Sequence, residues 1–159
     1  SEKFIIAPHN INSKEIKELQ KAINKKTVLF SEKENQNLKD AHVFIIDTIG
    51  ILTKIYSYAD IAYVGGGFET GLHNILEPAT FGVPIIIGPK YDKFREAVGL
   101  VNEGGCFVVY NKEEFNDQLK ELFTDADDRT KKGKITKKFI SQNIGATKIV
   151  LDYIKSRIN

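Results

Sequence analysis

The chain has 159 residues, of which 42% are hydrophobic and 28% charged, and these proportions favour neither a disordered chain nor a membrane-embedded one. Its 23 basic and 21 acidic residues give a net charge of +2, which does not favour nucleic acid as a partner. Cys106 is the only cysteine, so an internal disulfide and a cysteine-based zinc cage are excluded, and we expect a cytosolic protein.

Short apolar runs predict six β-strands, and apolar residues at helical spacing predict helices between them. In chain order the predicted strands are residues 4–7, 27–30, 43–46, 61–64, 84–87 and 106–109. The predicted helices follow Asn12-Ser13, cover 52–59, 74–81 and 93–103, and occupy most of 112–157. The polar stretch 31–40 is expected to be a surface loop or a short helix.

Continuous apolar strands that alternate with helices are typical of a parallel sheet covered on both faces. We therefore expect an α/β fold, with one open doubly wound parallel sheet of about six strands. The sequence shows no repeat and no internal linker, so residues 1–159 are expected to form a single domain. Ligands of such sheets bind outside the carboxyl ends of the strands, where the loops after strands one, three, four and five would share a cleft.

Three consecutive glycines, Gly65, Gly66 and Gly67, follow the fourth predicted strand, and Gly71 comes soon after. They match neither the dinucleotide fingerprint of a first βαβ unit nor a phosphate-binding loop with a Gly-Lys-Ser/Thr end. Backbone amides without side chains suit an anion such as phosphate. A tight turn that needs positive φ is the alternative, and the sequence leaves both interpretations open.

The next segment places His73, Asn74 and Glu77 at the start of a helix. Asn74 can cap this helix, and Glu77 at its third position can close a capping box. A carboxylate at that place can equally accept hydrogen bonds from the vicinal hydroxyls of a ribose. His73 can donate to a phosphate, act as a general acid or be structural, and without a second metal ligand beside it no metal site is predicted.

Two further features have competing interpretations. Asp47 ends the third strand, where it can face the cleft or cap the next helix. Residues 129–138 hold six basic residues in ten, which is typical of a solvated helix face but also allows a peripheral contact with anionic lipid headgroups. No apolar run approaches the roughly 20 residues that a membrane-spanning helix needs.

Three segments, "DTIGIL", "ADIAYVGGGF" and "GLHNILEPATFGVPIIIGP", together resemble the C-terminal nucleotide-binding domain of the 3-deoxy-D-manno-octulosonic acid (Kdo) transferases. These are lipid A glycosyltransferases of the GT-B fold, and the likeness covers most of the chain. The resemblance implies transfer of Kdo from CMP-Kdo to a lipid A precursor in lipopolysaccharide biosynthesis, at the cytoplasmic face of the Gram-negative inner membrane. It implies no cofactor and no metal.

By this resemblance the chain is a Rossmann-like donor-binding lobe. The N-terminal acceptor lobe, with its catalytic glutamate and membrane anchor, is expected to be absent from this chain. No catalytic residue is therefore expected in residues 1–159. The isolated domain is expected to be soluble, cytosolic and inactive.

The family's binding residues match positions in this sequence. Glu77 matches the glutamate that binds the ribose of CMP, and Asn74 the asparagine beside it. The glycine turn near the phosphate matches Gly65, Gly66 and Gly67, and the loop near the cytosine matches Asp47, Thr48, Ile49 and Gly50.

The chain departs from the family pattern in two places. Relatives commonly have Ala-Pro-Arg-His after the first strand, whereas this chain has Ala7-Pro8-His9-Asn10, so His9 stands beside Pro8 where a cytidine-contacting arginine is expected. The glycine turn continues as Phe68-Glu69-Thr70, where many relatives carry a basic residue. Two other functions stay open: a lobe of a UDP-sugar-dependent GT-B transferase or epimerase, and a stand-alone, non-catalytic nucleotide-sugar-binding module.

Overall fold

In the computed structural model of the chain, which describes residues 2–69 and 71–158, strands and helices alternate along the sequence as the apolar pattern predicts. The chain divides into two compact units, which we call the first unit (Ser1–Ile55) and the second unit (Tyr56–Asn159). Thr70, which belongs to one of the two departures from the family pattern, lies outside the described residues.

The first unit is a small parallel sheet with one long helix. Its elements are β1 (Phe4–Ile6), α1 (Ser13–Ala22), β2 (Thr27–Leu29), 3₁₀ helices at Phe30–Asn35 and Leu38–Asp40, β3 (Val43–Ile45) and α2 (Leu52–Ile55). The strand order is β1-β3-β2, and all pairs are parallel. Ile45 is fully buried at the centre, where it packs with Val43 and with Ile16 of α1.

Helix α1 begins where the sequence predicts. Asn12 Oδ1 accepts hydrogen bonds from the backbone N–H of Lys14 at 2.9 Å and of Glu15 at 3.4 Å. The side chain thus satisfies two of the amide groups that a helix start leaves unpaired, and Asn12 is the N-cap.

The second unit holds the larger core. Its elements are a 3₁₀ helix at Tyr56–Tyr58, β4 (Ala62–Val64), α3 (Leu76–Thr80), β5 (Ile85–Ile87), α4 (Arg95–Glu103), β6 (Cys106–Val108), α5 (Lys112–Thr124), α6 (Ala126–Asn143) and α7 (Ala146–Ile158). The strand order is β4-β5-β6, again parallel. Ile85 and Ile87 belong to one apolar cluster with Leu100 of α4, while Ile86 belongs to another with Leu122 of α5. Both faces of this sheet are therefore covered.

The α/β class and the parallel pairing are confirmed, but the single sheet of about six strands is not. The described strands form two three-stranded parallel sheets, one in each unit. The predicted helix over 52–59 is also divided, into α2 and the 3₁₀ helix that follows it.

Two predicted helices begin later than expected, and the local conformation before each helix explains why. Helix α3 begins at Leu76 rather than Asn74, because Asn74 Oδ1 accepts the N–H of Leu76 and folds the chain into a turn. Helix α4 begins at Arg95 rather than Lys93, because Phe94 has extended backbone angles. Its end is as predicted, with Gly104 in the left-handed conformation at φ +81°.

Candidate functional site

The glycine turn after β4 is tied to its surroundings through its carbonyl groups. Gly65 O accepts the N–H of His73 at 3.1 Å, and Gly66 O accepts the N–H of Gly71 at 3.0 Å. Gly67 O accepts the N–H of Lys90, in the loop after β5, at 2.8 Å. The N–H groups of the same three glycines donate no hydrogen bond within the described part of the chain. The turn thus presents donors without partners on a backbone whose acceptors are occupied.

Packing alone requires glycine at two of these positions. Gly66 has φ +87°, and a Cβ there would lie 2.1 Å from Gly71 O and 2.9 Å from Cδ2 of the His73 ring. A Cβ on Gly67 would lie 2.8 Å from the backbone nitrogen of Gly88. The interpretation of the glycines as a tight turn with positive φ is therefore confirmed at Gly66. A phosphate role remains compatible with this geometry.

Asn74 and Glu77 are brought together, but not as the predicted capping box. The side-chain amide of Asn74 donates to Glu77 Oε1 at 3.1 Å, and Asn74 Oδ1 accepts the N–H of Leu76 at 3.0 Å. Glu77 is the second residue of α3, not the third, because Ile75 precedes the first helical residue. The half-buried carboxylate is therefore oriented by a side chain rather than by a backbone amide.

Tyr56 is a neighbour of this carboxylate that the sequence did not reveal. Burial, together with the negative charge of Glu77, raises the pKa of the Tyr56 phenol. The phenol stays protonated near neutral pH, so it keeps a hydrogen that it can donate. Tyr56 lies in the 3₁₀ helix before β4, far from Glu77 in sequence, and no local pattern connects the two residues.

In the first unit, the loops after β1 and β3 line an open cleft of about 630 Å³. It contains five of the predicted site residues, namely Pro8, His9, Thr48, Ile49 and Gly50. The hydroxyl oxygen of Thr48 is buried there without a hydrogen-bond partner among the described residues. A buried polar atom of this kind is costly unless a ligand or water satisfies it.

Asp47 does not line this cleft, and its carboxylate is hydrogen-bonded to Ser31 instead. Its carboxylate accepts the N–H of Ser31 at 2.9 Å and the hydroxyl of Ser31 at 2.5 Å. Asp47 therefore holds the start of the 3₁₀ helix after β2. The interpretation as a cap of the next helix, α2, is wrong, because the carboxylate turns to the neighbouring strand's loop.

The basic run 129–138 lies in α6, and two of its basic side chains make contacts within the second unit. The Lys132 ammonium pairs with Asp128 at 2.6 Å and with Glu121 at 2.8 Å. Arg129 donates to the carbonyl of Leu122 at 2.7 Å. The contacts with Glu121 and Leu122 fasten α6 to α5, and the exposed lysines of the run are Lys131, Lys134, Lys137 and Lys138.

Residues 2–69 and 71–158 hold neither a metal-binding cluster nor a membrane-spanning helix. No three His, Cys, Asp or Glu side chains in these ranges gather where a metal ion could be held. No helix in the same ranges is long and apolar enough to cross a membrane.

The model of the family described as glycosyl transferases group 1 matches residues 22–139, which is more than half of the chain. The chain belongs to the glycosyl transferases group 1 family. Among its curated relatives, the 3-deoxy-D-manno-octulosonic acid transferase of Aquifex aeolicus is 35% identical over 125 residues, covering 77% of this chain and 34% of that protein. The protein of the same name from Chlamydia trachomatis serovar D is 29% identical over 161 residues, covering 99% of this chain and 37% of the relative.

This glycosyl transferase chain thus spans about a third of the length of the curated relatives it matches. A solved structure of the C-terminal CMP-Kdo binding domain of WaaA from Acinetobacter baumannii is similar to it, with a TM-score of 0.74 and 23% identity. The match covers 86% of this chain and 72% of that one, which confirms the fold. The resemblance to Kdo transferases that the motifs indicate is confirmed by these relatives.

Proposed function

We propose that this chain is the donor-binding lobe of a glycosyltransferase that transfers Kdo from CMP-Kdo to a lipid A precursor in lipopolysaccharide biosynthesis. One observation carries the proposal: Glu77, held by Asn74, follows a glycine turn with unused N–H groups, in a chain whose curated relatives are Kdo transferases. Residues 1–159 are then one lobe. The rest of the full-length protein supplies the acceptor site, the catalytic base and the membrane anchor.

Glu77 is well suited to accept hydrogen bonds from the ribose. Asn74 occupies one lone-pair direction of Oε1, which leaves Oε2 for a hydroxyl. A carboxylate offers about four lone-pair sites, so two vicinal hydroxyls can donate to it without displacing Asn74. Hydrogen bonds to a charged group are the stronger kind, about 1.5–3 kcal/mol each.

The phosphate of the donor is assigned to the amides of Gly65, Gly66 and Gly67, with His73 beside them. During transfer the bond between the Kdo anomeric carbon and the phosphate oxygen breaks, and negative charge grows on the leaving CMP. Backbone N–H groups that are already oriented stabilise such charge without reorganisation. The carbonyls of the turn are already hydrogen-bonded, which holds these donors in place.

In the first unit the proposal assigns contacts with the cytosine to Pro8, His9, Thr48, Ile49 and Gly50. These residues line one cleft, and the unpartnered hydroxyl of Thr48 supports a ligand there. Asp47 is assigned to the same loop as the residue that holds its position through Ser31.

Calorimetric titration with CMP and UMP tests this function against its nearest rival. We expect CMP to bind the chain at least 10-fold more tightly than UMP, a difference of about 1.4 kcal/mol. Equal or tighter binding of UMP would instead support a UDP-sugar-dependent transferase or epimerase. Kdo transfer by the full-length protein, and none by a full-length variant that lacks CMP binding, would separate the enzyme from a non-catalytic binding module.

A peripheral membrane contact through the exposed lysines of α6 is a further part of this proposal. Each lysine near an anionic surface contributes about 1 kcal/mol. Co-sedimentation with vesicles that contain anionic lipid should therefore decrease when Lys131, Lys134, Lys137 and Lys138 are replaced together by glutamine. Unchanged co-sedimentation would contradict the contact.

A further inference from the structure

The glycine turn lacks a positive side chain of its own. Among the described residues between β4 and α3, the ionisable side chains are Glu69, which is negative, and His73. Protein sites for phosphate commonly add Lys or Arg to backbone amides, because charge-assisted hydrogen bonds are about twice as strong as neutral ones. A cation for a phosphate at this turn must therefore come from another element.

The loop after β5, residues 88–94, is packed directly on the turn. Lys90 N–H donates to Gly67 O at 2.8 Å. The backbones of Gly67 and Gly88 approach so closely that a Cβ on Gly88 would lie 2.7 Å from the carbonyl carbon of Gly67. A Cβ on Gly71 would meet the Phe94 ring at 4.0 Å. These three contacts fix the position of the loop relative to the glycines.

Lys90 is the residue of this loop whose backbone is bonded to the turn. Its side chain is exposed, and it makes no salt bridge within the described residues. The other charged residues of the loop are Asp92 and Lys93, which lie farther along the chain from that bond. A lysine ammonium sits on a flexible four-carbon stem, so it can follow a ligand bound at the amides.

We infer that Lys90 is a phosphate-binding residue, whose ammonium supplies the positive charge that the glycine turn lacks to the phosphate of a cytidine nucleotide. The inference rests on the proposed function. It adds a residue from a different loop, at the position where Lys90 N–H meets Gly67 O. It also accounts for a turn that continues with Phe68 and Glu69 instead of a basic residue.

The test compares CMP with cytidine, which lacks the phosphate, by calorimetry on the 159-residue chain. Lys90→Gln should weaken CMP binding about 5- to 30-fold and leave cytidine binding unchanged, because only CMP offers a charged partner to the ammonium. Lys90→Arg should recover most of the CMP affinity. Glutamine keeps the backbone N–H that bonds to Gly67, and thermal unfolding of the variant should match that of the wild type.

Lys137→Gln is the matched control. Lys137 is also an exposed lysine, but its Cβ lies 3.4 Å from where a Cβ of Gly82 would be, and Gly82 precedes β5 whereas Lys90 follows it. It therefore lies at the opposite end of the strand, and its replacement should leave CMP affinity unchanged. Raising the salt concentration should weaken CMP binding more in the wild type than in Lys90→Gln.

The outcomes separate this assignment from the proposed function. Equal CMP affinity in the wild type and Lys90→Gln would overturn the assignment alone. An equal loss for CMP and cytidine would also overturn it, because the phosphate would then not be the group affected. Absence of CMP binding in the wild type would overturn the proposed function and the assignment with it.

Discussion

The side-chain amide of Asn74 holds Glu77 Oε1 at 3.1 Å while Asn74 Oδ1 accepts the N–H of Leu76 at 3.0 Å. One asparagine thus forms the turn before α3 and orients the carboxylate on its first turn. Because the same side chain makes both bonds, the direction of the Glu77 carboxylate is coupled to the start of the helix. Asn74 is therefore a positioning residue for Glu77.

Replacing Asn74 should affect CMP binding through Glu77. We expect Asn74→Ala to weaken CMP binding about 3- to 10-fold, since a lost hydrogen bond of this kind is worth about 0.5–1.5 kcal/mol. Asn74→Asp should weaken binding further, because it places a second negative charge beside Glu77. Calorimetry measures both, with the exposed Asn116→Ala of α5 as a control that should bind like the wild type. Wild-type affinity in Asn74→Ala would contradict the positioning role.

Two glycines with nearly the same φ allow the cost of the left-handed conformation to be measured apart from the cost of a steric clash. Gly66 and Gly104 have φ of +87° and +81°, but a Cβ on Gly104 meets nothing within 4 Å, whereas one on Gly66 lies 2.1 Å from Gly71 O. Gly104→Ala should lower the free energy of unfolding by about 1–2 kcal/mol, which is the cost of the left-handed conformation alone. Gly66→Ala should cost clearly more. Urea unfolding of both variants measures this, and equal costs would show that the turn moves to accept a methyl group.

The raised pKa of the Cys106 thiol predicts that the free energy of unfolding depends on pH. Burial raises the pKa of its thiol from 9.0 to about 12. Above pH 9 the unfolded chain therefore loses a proton that the folded chain keeps, so this thiol lowers stability as pH rises from 9 toward 12. The loss reaches about 1.4 kcal/mol by pH 10. Cys106→Val removes the thiol, so the wild type should lose stability relative to this variant between pH 8 and 10. A constant difference in unfolding free energy would contradict the shifted pKa.

The Asp47–Ser31 contact should behave as a stabilising pair in the first unit. Asp47 accepts two hydrogen bonds from Ser31, one from its N–H and one from its hydroxyl. In a double-mutant cycle, Asp47→Ala and Ser31→Ala should show a coupling free energy of about 0.5–1.5 kcal/mol for the bond to the Ser31 hydroxyl. Additive effects on unfolding in urea would indicate that the hydroxyl hydrogen bond contributes nothing to stability.

Local sequence patterns predicted most elements of this fold. Apolar runs located all six strands to within a residue or two, and Asn12 and Gly104 marked helix ends correctly. The late start of α3 depended on a choice between competing hydrogen bonds. Asn74 can cap a helix or form a turn through the N–H two residues ahead, and the sequence does not decide between them.

The sequence points to the residues of the candidate site but not to the residues that contact them. The glycines, Asn74 and Glu77 were identified from spacing. The effect of the Glu77 charge on Tyr56 and the contacts of Asp47 with Ser31 and of Lys90 with Gly67 all join residues from different elements. Such contacts depend on how strands order in a sheet, which local periodicity does not encode.

A cycle that varies both the ligand and the protein tests whether Glu77 binds the ribose of a cytidine nucleotide. The dissociation constants of CMP and 2′-deoxy-CMP are measured by calorimetry for the wild type and for Glu77→Ala. We predict that the wild type binds CMP about 10-fold or more tightly than 2′-deoxy-CMP, and that the two affinities become nearly equal in Glu77→Ala. The same preference for CMP in both proteins would contradict the claim, because the ribose hydroxyl would then be held by another residue.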